Sequence, residues 1–223
     1  MRTSTYSRLA AALLLVAVVA SCRSIPEEAP PAPRTVQPGA PGTQGQVVAP
    51  QPGSVIARDR HTEADVRFMQ NMIAHHAQAL EMSSLAPERA HRDDIRRMAH
   101  RIEVSQAAEI SLMKRWLERR GEEVPDLDAP HGAHAHHGHA ELMAGMLTPE
   151  QLEELASATG PEFDRLFLQF MMYHHEGALQ MVEELFSIPG AGQETEIFRF
   201  ASHVDSDQRI EIGRMSRMLN ADG

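Results

Sequence analysis

Apolar residues recur every three or four positions along four long stretches of the chain, and polar residues fill the positions between them. A period near 3.6 residues is that of an amphipathic helix, and no stretch shows the strict alternation of a half-buried strand. The four stretches cover about residues 62–85, 88 or 93–120, 162–187 and 193–220. The pattern therefore predicts an all-α domain.

Capping residues mark where these helices begin and end. Thr62, followed three residues later by Asp65, has the pattern of a helix-capping box, and Gly121 is a favourable residue for ending the second helix. A short extra helix is predicted in "LTPEQLEEL", with Thr148 as its cap and Gln151 at the capping-box position.

The two halves of the helical region repeat each other. "NMIAHHAQALEM" at 71–82 corresponds to "FMMYHHEGALQM" at 170–181, and "IEVSQAAEISLM" at 102–113 corresponds to "VDSDQRIEIGRM" at 204–215. Two helical hairpins related by a pseudo-twofold axis form a four-helix bundle. We predict such a domain over residues 58–223, with hairpin one at 62–120, a connection containing the short helix at 121–160, and hairpin two at 161–220.

The N-terminal residues indicate export. Residues 1–21 contain two arginines, an apolar run from Leu9 to Ala20 and no acidic residue, which is typical of a secretory signal too short to span a bilayer. The run ends in "VVASC", which resembles a bacterial lipobox and implies cleavage before Cys22 and lipidation of that cysteine. We therefore expect a lipoprotein signal peptide and a protein anchored to the cell envelope, on its periplasmic or extracellular face.

A Pro-rich segment follows the signal. Residues 23–55 contain eight prolines with scattered Gly, Ala, Gln and Ser, a composition that buries too little apolar surface to fold. We expect a disordered tether at 22–57. Since Cys22 is the only cysteine, no disulfide can form within the chain, and packing must stabilise the domain.

The charge balance excludes one class of partner. The chain has 21 basic and 31 acidic residues, and removal of the two signal arginines leaves a formal charge of −12. Nucleic-acid binding depends on clustered Lys and Arg, so no nucleic-acid partner is expected. Cationic ligands fit this balance better.

Each histidine pair lies in a stripe of methionines. Because successive helical residues turn by about 100°, the two histidines of a pair cannot point at one spot. His75 shares the core face with Met72 and Met82, whereas His76 points to the flank or to a neighbouring helix. The corresponding residues of the second repeat are His174, Met171, Met181 and His175.

The partner helices place polar side chains in the middle of an apolar face. These are Gln106 and Glu109, with Gln208 and Glu211 as their counterparts. A buried amide or carboxylate costs free energy unless it finds a partner, and the histidines are the obvious partners. Glu109 and Glu211 are expected to orient the imidazoles, or to be metal ligands themselves.

Thioether sulfur is a soft ligand and imidazole a borderline one, so a set of Met and His favours copper, Cu(I) above all, or silver. Zinc and iron stay open as alternatives. A ferritin-like di-iron centre needs Glu-x-x-His motifs, and neither histidine pair has a Glu three residues before it. A core in which histidine only hydrogen-bonds to glutamate, without metal, is the other interpretation.

The connection between the hairpins contains "HGAHAHHGHA", a composition typical of a loose metal binder for Cu(II), Ni(II) or Zn(II). We predict a secondary metal site at His131, His134, His136, His137 and His139.

Five stretches together carry a family resemblance: "FMQNMIAHHAQALEM", "FLQFMMYHHEGALQM", "MAGMLTPEQLEEL" and the two helices with the pattern Gln-x-x-Glu-Ile-x-x-Met. Over roughly residues 60–220 the chain resembles the domain-of-unknown-function 305 family of exported bacterial proteins. The resemblance implies a ferritin-like four-helix bundle. Because some members resemble secreted copper-binding proteins that contribute to copper resistance, it also implies copper handling.

The sequence thus predicts an extracytoplasmic metal-binding protein that sequesters or transfers copper in copper tolerance, without catalytic turnover. The expected partners are metal ions and, through the lipid at Cys22, a membrane; an envelope protein or a second copy of the chain is left open. Two alternatives remain: a ferritin-like di-metal redox enzyme, and a non-catalytic envelope interaction module with a structural His–Glu core.

Overall fold

The computed structural model describes residues 35–48, 60–127 and 142–221. These residues form strands β1 (Thr35–Gln37) and β2 (Gln46–Val48) and helices α1 (Glu63–Ser84), α2 (Ala86–Arg89), α3 (Asp93–Arg120), α4 (Pro149–Ser157), α5 (Gly160–Ser187) and α6 (Thr195–Asn220). The predicted all-α fold is confirmed. The signal peptide, Cys22 and the five loop histidines lie outside the described residues.

The helix ends follow the capping residues of the sequence. Thr62 and Asp65 form a capping box at the start of α1, and Thr148 and Gln151 form one at the start of α4. Gly121 ends α3 in the left-handed conformation, with φ of 72°, which glycine adopts without steric cost. Pro87 follows the end of α1 and lies in the first turn of the four-residue helix α2, where proline is well tolerated.

The bundle is built from two helical hairpins. Helix α1 packs against α3, α5 packs against α6, and the hairpins meet where α1 lies against α5. Among the described residues, no helix is both long enough and apolar enough to cross a membrane.

A layer of polar side chains divides the hydrophobic core into two clusters. On α1, the buried apolar residues from Ala64 to Ile73 belong to the first cluster, and Ala79 and Met82 belong to the second, so the histidine pair falls between them. Helix α6 meets the two clusters in the same order along the chain, whereas α3 and α5 meet them in the reverse order. The resulting polar layer consists of His75, His76, Gln106, Glu109, His174, His175, Gln208 and Glu211. The predicted apolar stripes are thus interrupted at one level of the bundle.

Each hairpin anchors the turn of the other. Asp65, at the start of α1, accepts a hydrogen bond of 2.7 Å from the backbone N–H of Gly192. Its counterpart Asp164, on α5, accepts from the N–H groups of His91 and Arg92 at 2.9 and 3.0 Å. Both carboxylates are buried, so these bonds hold the duplicated halves in register.

The segment predicted as a tether contains structure that composition did not predict. Residues 35–48 form an antiparallel hairpin in which Val36 pairs with Val47. The buried amide of Gln37 donates to the carbonyls of Phe186 and Ile188, at 3.2 and 2.9 Å, and accepts from the N–H of Gly190 at 2.7 Å. Strands this short have no readable periodicity, and one docked glutamine holds the hairpin on the α5–α6 turn.

Candidate metal centre

The two inner histidines meet at the centre of the bundle. The ring centroids of His75 and His174 lie 3.8 Å apart, with 35° between the ring planes. Their exposed fractions are 0% and 1%, so the contact is closed to solvent. The face predicted from helical spacing therefore brings one histidine of each repeat into direct contact.

The outer histidines turn away from this contact and bind glutamate. The ring of His76 lies 6.4 Å from that of His75, and the ring of His175 lies 6.3 Å from that of His174. His76 Nε2 lies 2.5 Å from a carboxylate oxygen of Glu109 on α3. Its counterpart His175 Nε2 lies 2.6 Å from an oxygen of Glu211 on α6.

Backbone carbonyls hold the inner rings, and here the twofold symmetry breaks. His75 Nε2 lies 3.1 Å from the carbonyl oxygen of Ala144, in the connection between the hairpins. His174 Nε2 lies 3.0 Å from the carbonyl oxygen of His75 itself. A carbonyl oxygen can only accept, so both nitrogens carry hydrogen and donate.

The second nitrogen of every ring is buried without a partner. Within the described residues, the Nδ1 atoms of His75, His76, His174 and His175 make no hydrogen bond. Buried polar atoms normally find one, so four such atoms in one layer require an explanation. A soft cation that accepts imidazole lone pairs is a chemical group that fits them.

The glutamines of the polar layer do not behave as predicted. Both polar atoms of the Gln106 side chain, and the oxygen of Gln208, lack a partner in the described part of the chain. The expectation that these amides bond to the histidines is therefore wrong for Gln106, because the glutamate one turn further along the same helix occupies the histidine nitrogen.

The site suppresses positive charge on its inner rings. Burial, and secondarily the neighbouring His76, lowers the pKa of His75 from 6.5 to about 3. Burial and the nearby His75 likewise hold the pKa of His174 well below its ordinary value. The inner rings are therefore neutral near pH 7 and able to coordinate metal.

Carboxylates gather on the α3–α6 side of the layer. Burial, followed by the charges of Glu109 and Glu211, raises the pKa of Asp207 on α6. The side chains of Glu109 and Glu211 are 18% and 20% exposed, whereas the histidines they contact are fully buried. This side is where the polar layer meets solvent.

The predicted methionines are buried on both sides of the polar layer. Met72 and Met181 belong to the first cluster, and Met82 and Met171 belong to the second. Met72 and Met171 stand three residues, about one helical turn, from the histidine of their own repeat, whereas Met82 and Met181 stand seven residues away. Within the described ranges, no three side chains of His, Cys, Asp or Glu are grouped closely enough to hold a metal ion.

A part of the connection that sequence analysis did not assign to the site covers the inner histidines. The amide of Gln78 clamps Leu147, accepting from its N–H at 2.7 Å and donating to its carbonyl at 3.1 Å. On α5, a methyl group on Gly177 would lie 2.1 Å from the Ala144 oxygen, so only glycine permits this approach. The sequence gives one indication of these contacts, because the repeat has Gly177 at the position where the first half has Gln78.

A family model described as a domain of unknown function, DUF305, matches residues 65–219. A DUF305 fragment from Deinococcus radiodurans is 29% identical, with a TM-score of 0.60, and the match covers 72% of this chain and 98% of that one. A DUF305 protein from Streptomyces coelicolor, proposed to be secreted, is 26% identical, with a TM-score of 0.58 and coverage of 74% and 94%. CopM in its Cu(II)-bound form is 25% identical, with a TM-score of 0.56 and coverage of 71% and 97%. No curated protein matches the chain.

Proposed function

The chain belongs to the DUF305 family, and we propose that it is an extracytoplasmic metal-binding protein that sequesters copper or passes it on. The observation that carries the proposal is the buried contact of His75 with His174, at 3.8 Å, between two methionine-containing clusters. The similarity to CopM, whose Cu(II)-bound form is 25% identical, supports copper as the metal.

The donor set fits a soft cation. The inner rings are neutral, and their Nδ1 atoms have no partner among the described residues. Neutral imidazole and thioether ligands suit Cu(I) and silver better than hard cations, which need several oxygen ligands. We assign His75 and His174 as inner ligands, and Met72, Met82, Met171 and Met181 as the thioether set from which further ligands come.

The outer pairs have a supporting role. His76 and His175 act as flank ligands or as groups along the entry route, and Glu109 and Glu211 orient them. The loop histidines His131, His134, His136, His137 and His139 act as a separate, looser site that collects metal before it reaches the bundle.

Ligand-dependent stability tests the function. A cation that binds only the folded state must raise the unfolding temperature, whereas a purely structural His–Glu core gains nothing from it. The experiment uses the chain with the five loop histidines replaced by serine, so that the bundle alone responds. A rise in the unfolding temperature with Cu(I) or Ag(I) supports metal binding; no rise favours the envelope interaction module.

Metal content separates copper handling from the di-metal redox alternative. A ferritin-like centre needs bridging carboxylates, but in the described residues each glutamate of the polar layer contacts one histidine, and no group of three ligands forms. Elemental analysis of the protein isolated from its own envelope should find copper. Two iron or manganese ions per chain, with oxygen-dependent oxidation of a substrate, would contradict this account.

We also propose export and anchoring through Cys22, on the evidence of the signal sequence and the "VVASC" motif. Similarity to the Streptomyces coelicolor protein, proposed to be secreted, supports export. Labelling with a radioactive fatty acid should mark the chain and should fail for Cys22→Ser. Retention of label in the variant would exclude this anchor.

A further inference from the structure

The four bundle histidines share one hydrogen-bonding arrangement. In every ring Nε2 faces an oxygen at 2.5 to 3.1 Å. In every ring Nδ1 is buried and has no partner in the part of the chain that the structure describes. The four oxygens come from three helices and the connection, so the arrangement is not an effect of one local turn.

For the inner rings this arrangement fixes the tautomer. The oxygens facing His75 and His174 are the backbone carbonyls of Ala144 and His75, which accept hydrogen bonds and cannot donate. Nε2 therefore carries the hydrogen, and the neutral ring keeps its lone pair on Nδ1.

In the outer rings, the carboxylates of Glu109 and Glu211 favour the same tautomer, with hydrogen on Nε2. The Nε2–H of His76 and of His175 donates to Glu109 and Glu211. A second hydrogen on Nδ1 would be a buried donor with no acceptor among the described residues, which costs free energy. A carboxylate behind an imidazole fixes its tautomer and makes its other nitrogen a stronger ligand.

We propose that each of the four histidines offers Nδ1, and not Nε2, as its ligand atom for soft monovalent cations, and that Glu109 and Glu211 are positioning residues that enforce this choice. The inference rests on the proposed function and deepens it, because it names the ligand atom and the groups that select it. The four candidate ligands are then of two kinds: the inner rings donate to neutral carbonyls, and the outer rings donate to carboxylates.

Nitrogen NMR of the full chain tests the inference, with the loop histidines replaced by serine and Ag(I) as the probe. In the metal-free protein, long-range proton–nitrogen correlation should show hydrogen on Nε2 in all four rings. After Ag(I) is added, the Nδ1 signals should shift and show coupling to silver, while the Nε2–H signals remain. Single His→Gln variants assign the signals to their residues.

Variants of Glu109 test its positioning role. Glu109→Gln keeps an oxygen that can accept from His76, so the Nε2-protonated tautomer should persist. Glu109→Leu removes the acceptor and should give His76 a mixture of tautomers. Glu103→Leu is the matched control, because Glu103 lies on the same helix, is 51% exposed and pairs with the exposed His100 rather than with a histidine of the polar layer.

The outcomes are distinguishable. Hydrogen on Nδ1 in any of the four rings of the metal-free protein overturns the inference, and so does silver coupling at Nε2, although the latter leaves metal binding intact. An unchanged His76 tautomer in Glu109→Leu overturns the positioning role. If silver binds nowhere in a chain whose near-ultraviolet circular dichroism is native, the proposed function fails together with the inference.

Discussion

The imidazole rings of His75 and His174 lie 3.8 Å apart, and each ring belongs to a different half of the duplicated bundle. The second ring donates to the backbone carbonyl of the first, at 3.0 Å. Two charged imidazoles could not pack in this way, and burial keeps both of them neutral. The contact therefore joins the two halves of the bundle, and neither hairpin forms it alone.

The buried inner rings predict acid sensitivity of the metal-free protein. The pKa of His75 is lowered to about 3 in the folded state, and that of His174 is also well below 6.5, so as the pH first falls below 6.5 only the unfolded chain takes up their protons. The free energy of unfolding should fall as the pH falls below 6.5, by about 1.4 kcal/mol per pH unit for each histidine.

Urea unfolding across this pH range, on wild type and on His75→Gln/His174→Gln, measures the effect. The variant should lose less stability per pH unit than wild type, because other titrating groups are common to both. Equal slopes would show that the inner rings titrate normally.

Removal of one layer carboxylate should destabilise the fold. Glu109→Ala leaves the buried Nε2–H of His76 without its acceptor, and we expect a loss of about 1–3 kcal/mol in the free energy of unfolding. Glu103→Ala, on the exposed face of the same helix, should change it by less than about 0.5 kcal/mol. Equal effects in urea unfolding would contradict a specific role for Glu109.

Substitution by alanine should have opposite effects on stability at two helical glycines, Gly177 beneath the connection and Gly213 on α6. In Gly177→Ala the new methyl group would lie 2.1 Å from the Ala144 oxygen, so the connection must move and the contact of Ala144 with His75 is lost. In Gly213→Ala, on α6, the nearest atom lies 3.6 Å away, at the end of Arg217.

The first substitution should destabilise the protein by more than about 1 kcal/mol, and the second should stabilise it by about 0.5–1 kcal/mol through helix propensity. Thermal unfolding of both variants makes the comparison. An unchanged unfolding temperature in Gly177→Ala would contradict the close packing of the connection against α5 at Gly177.

Helical periodicity and the repeat were enough to predict the bundle, the capping boxes at Thr62 and Thr148, and the inward direction of His75 and His174. These features depend on local spacing, which a sequence displays directly. The clamp of Gln78 on Leu147 and the hairpin held by Gln37 were not predicted. Both depend on contacts between residues far apart in the chain, and neither has a periodic signal.

For the same reason, the sequence predicts the positions of the candidate ligands only in part. Angular spacing put Met72 and Met82 on one face, but the polar layer separates them into different clusters. Glu109 contacts His76 rather than His75, and this pairing depends on how α1 and α3 pack against each other. Helical spacing gives the face of a residue, whereas its partner depends on packing between helices.

The most direct test of the account is the Cu(I) affinity of the bundle, measured by competition with a chromogenic chelator. The protein carries serine at the five loop histidines and is compared with and without His75→Ala/His174→Ala. His100→Ala, an exposed histidine on α3, is the matched control. We predict that the inner double substitution weakens binding by about 100-fold or more, since loss of an outer-shell partner alone costs about 10- to 100-fold. Unchanged affinity in a folded double variant would contradict a metal centre at this contact.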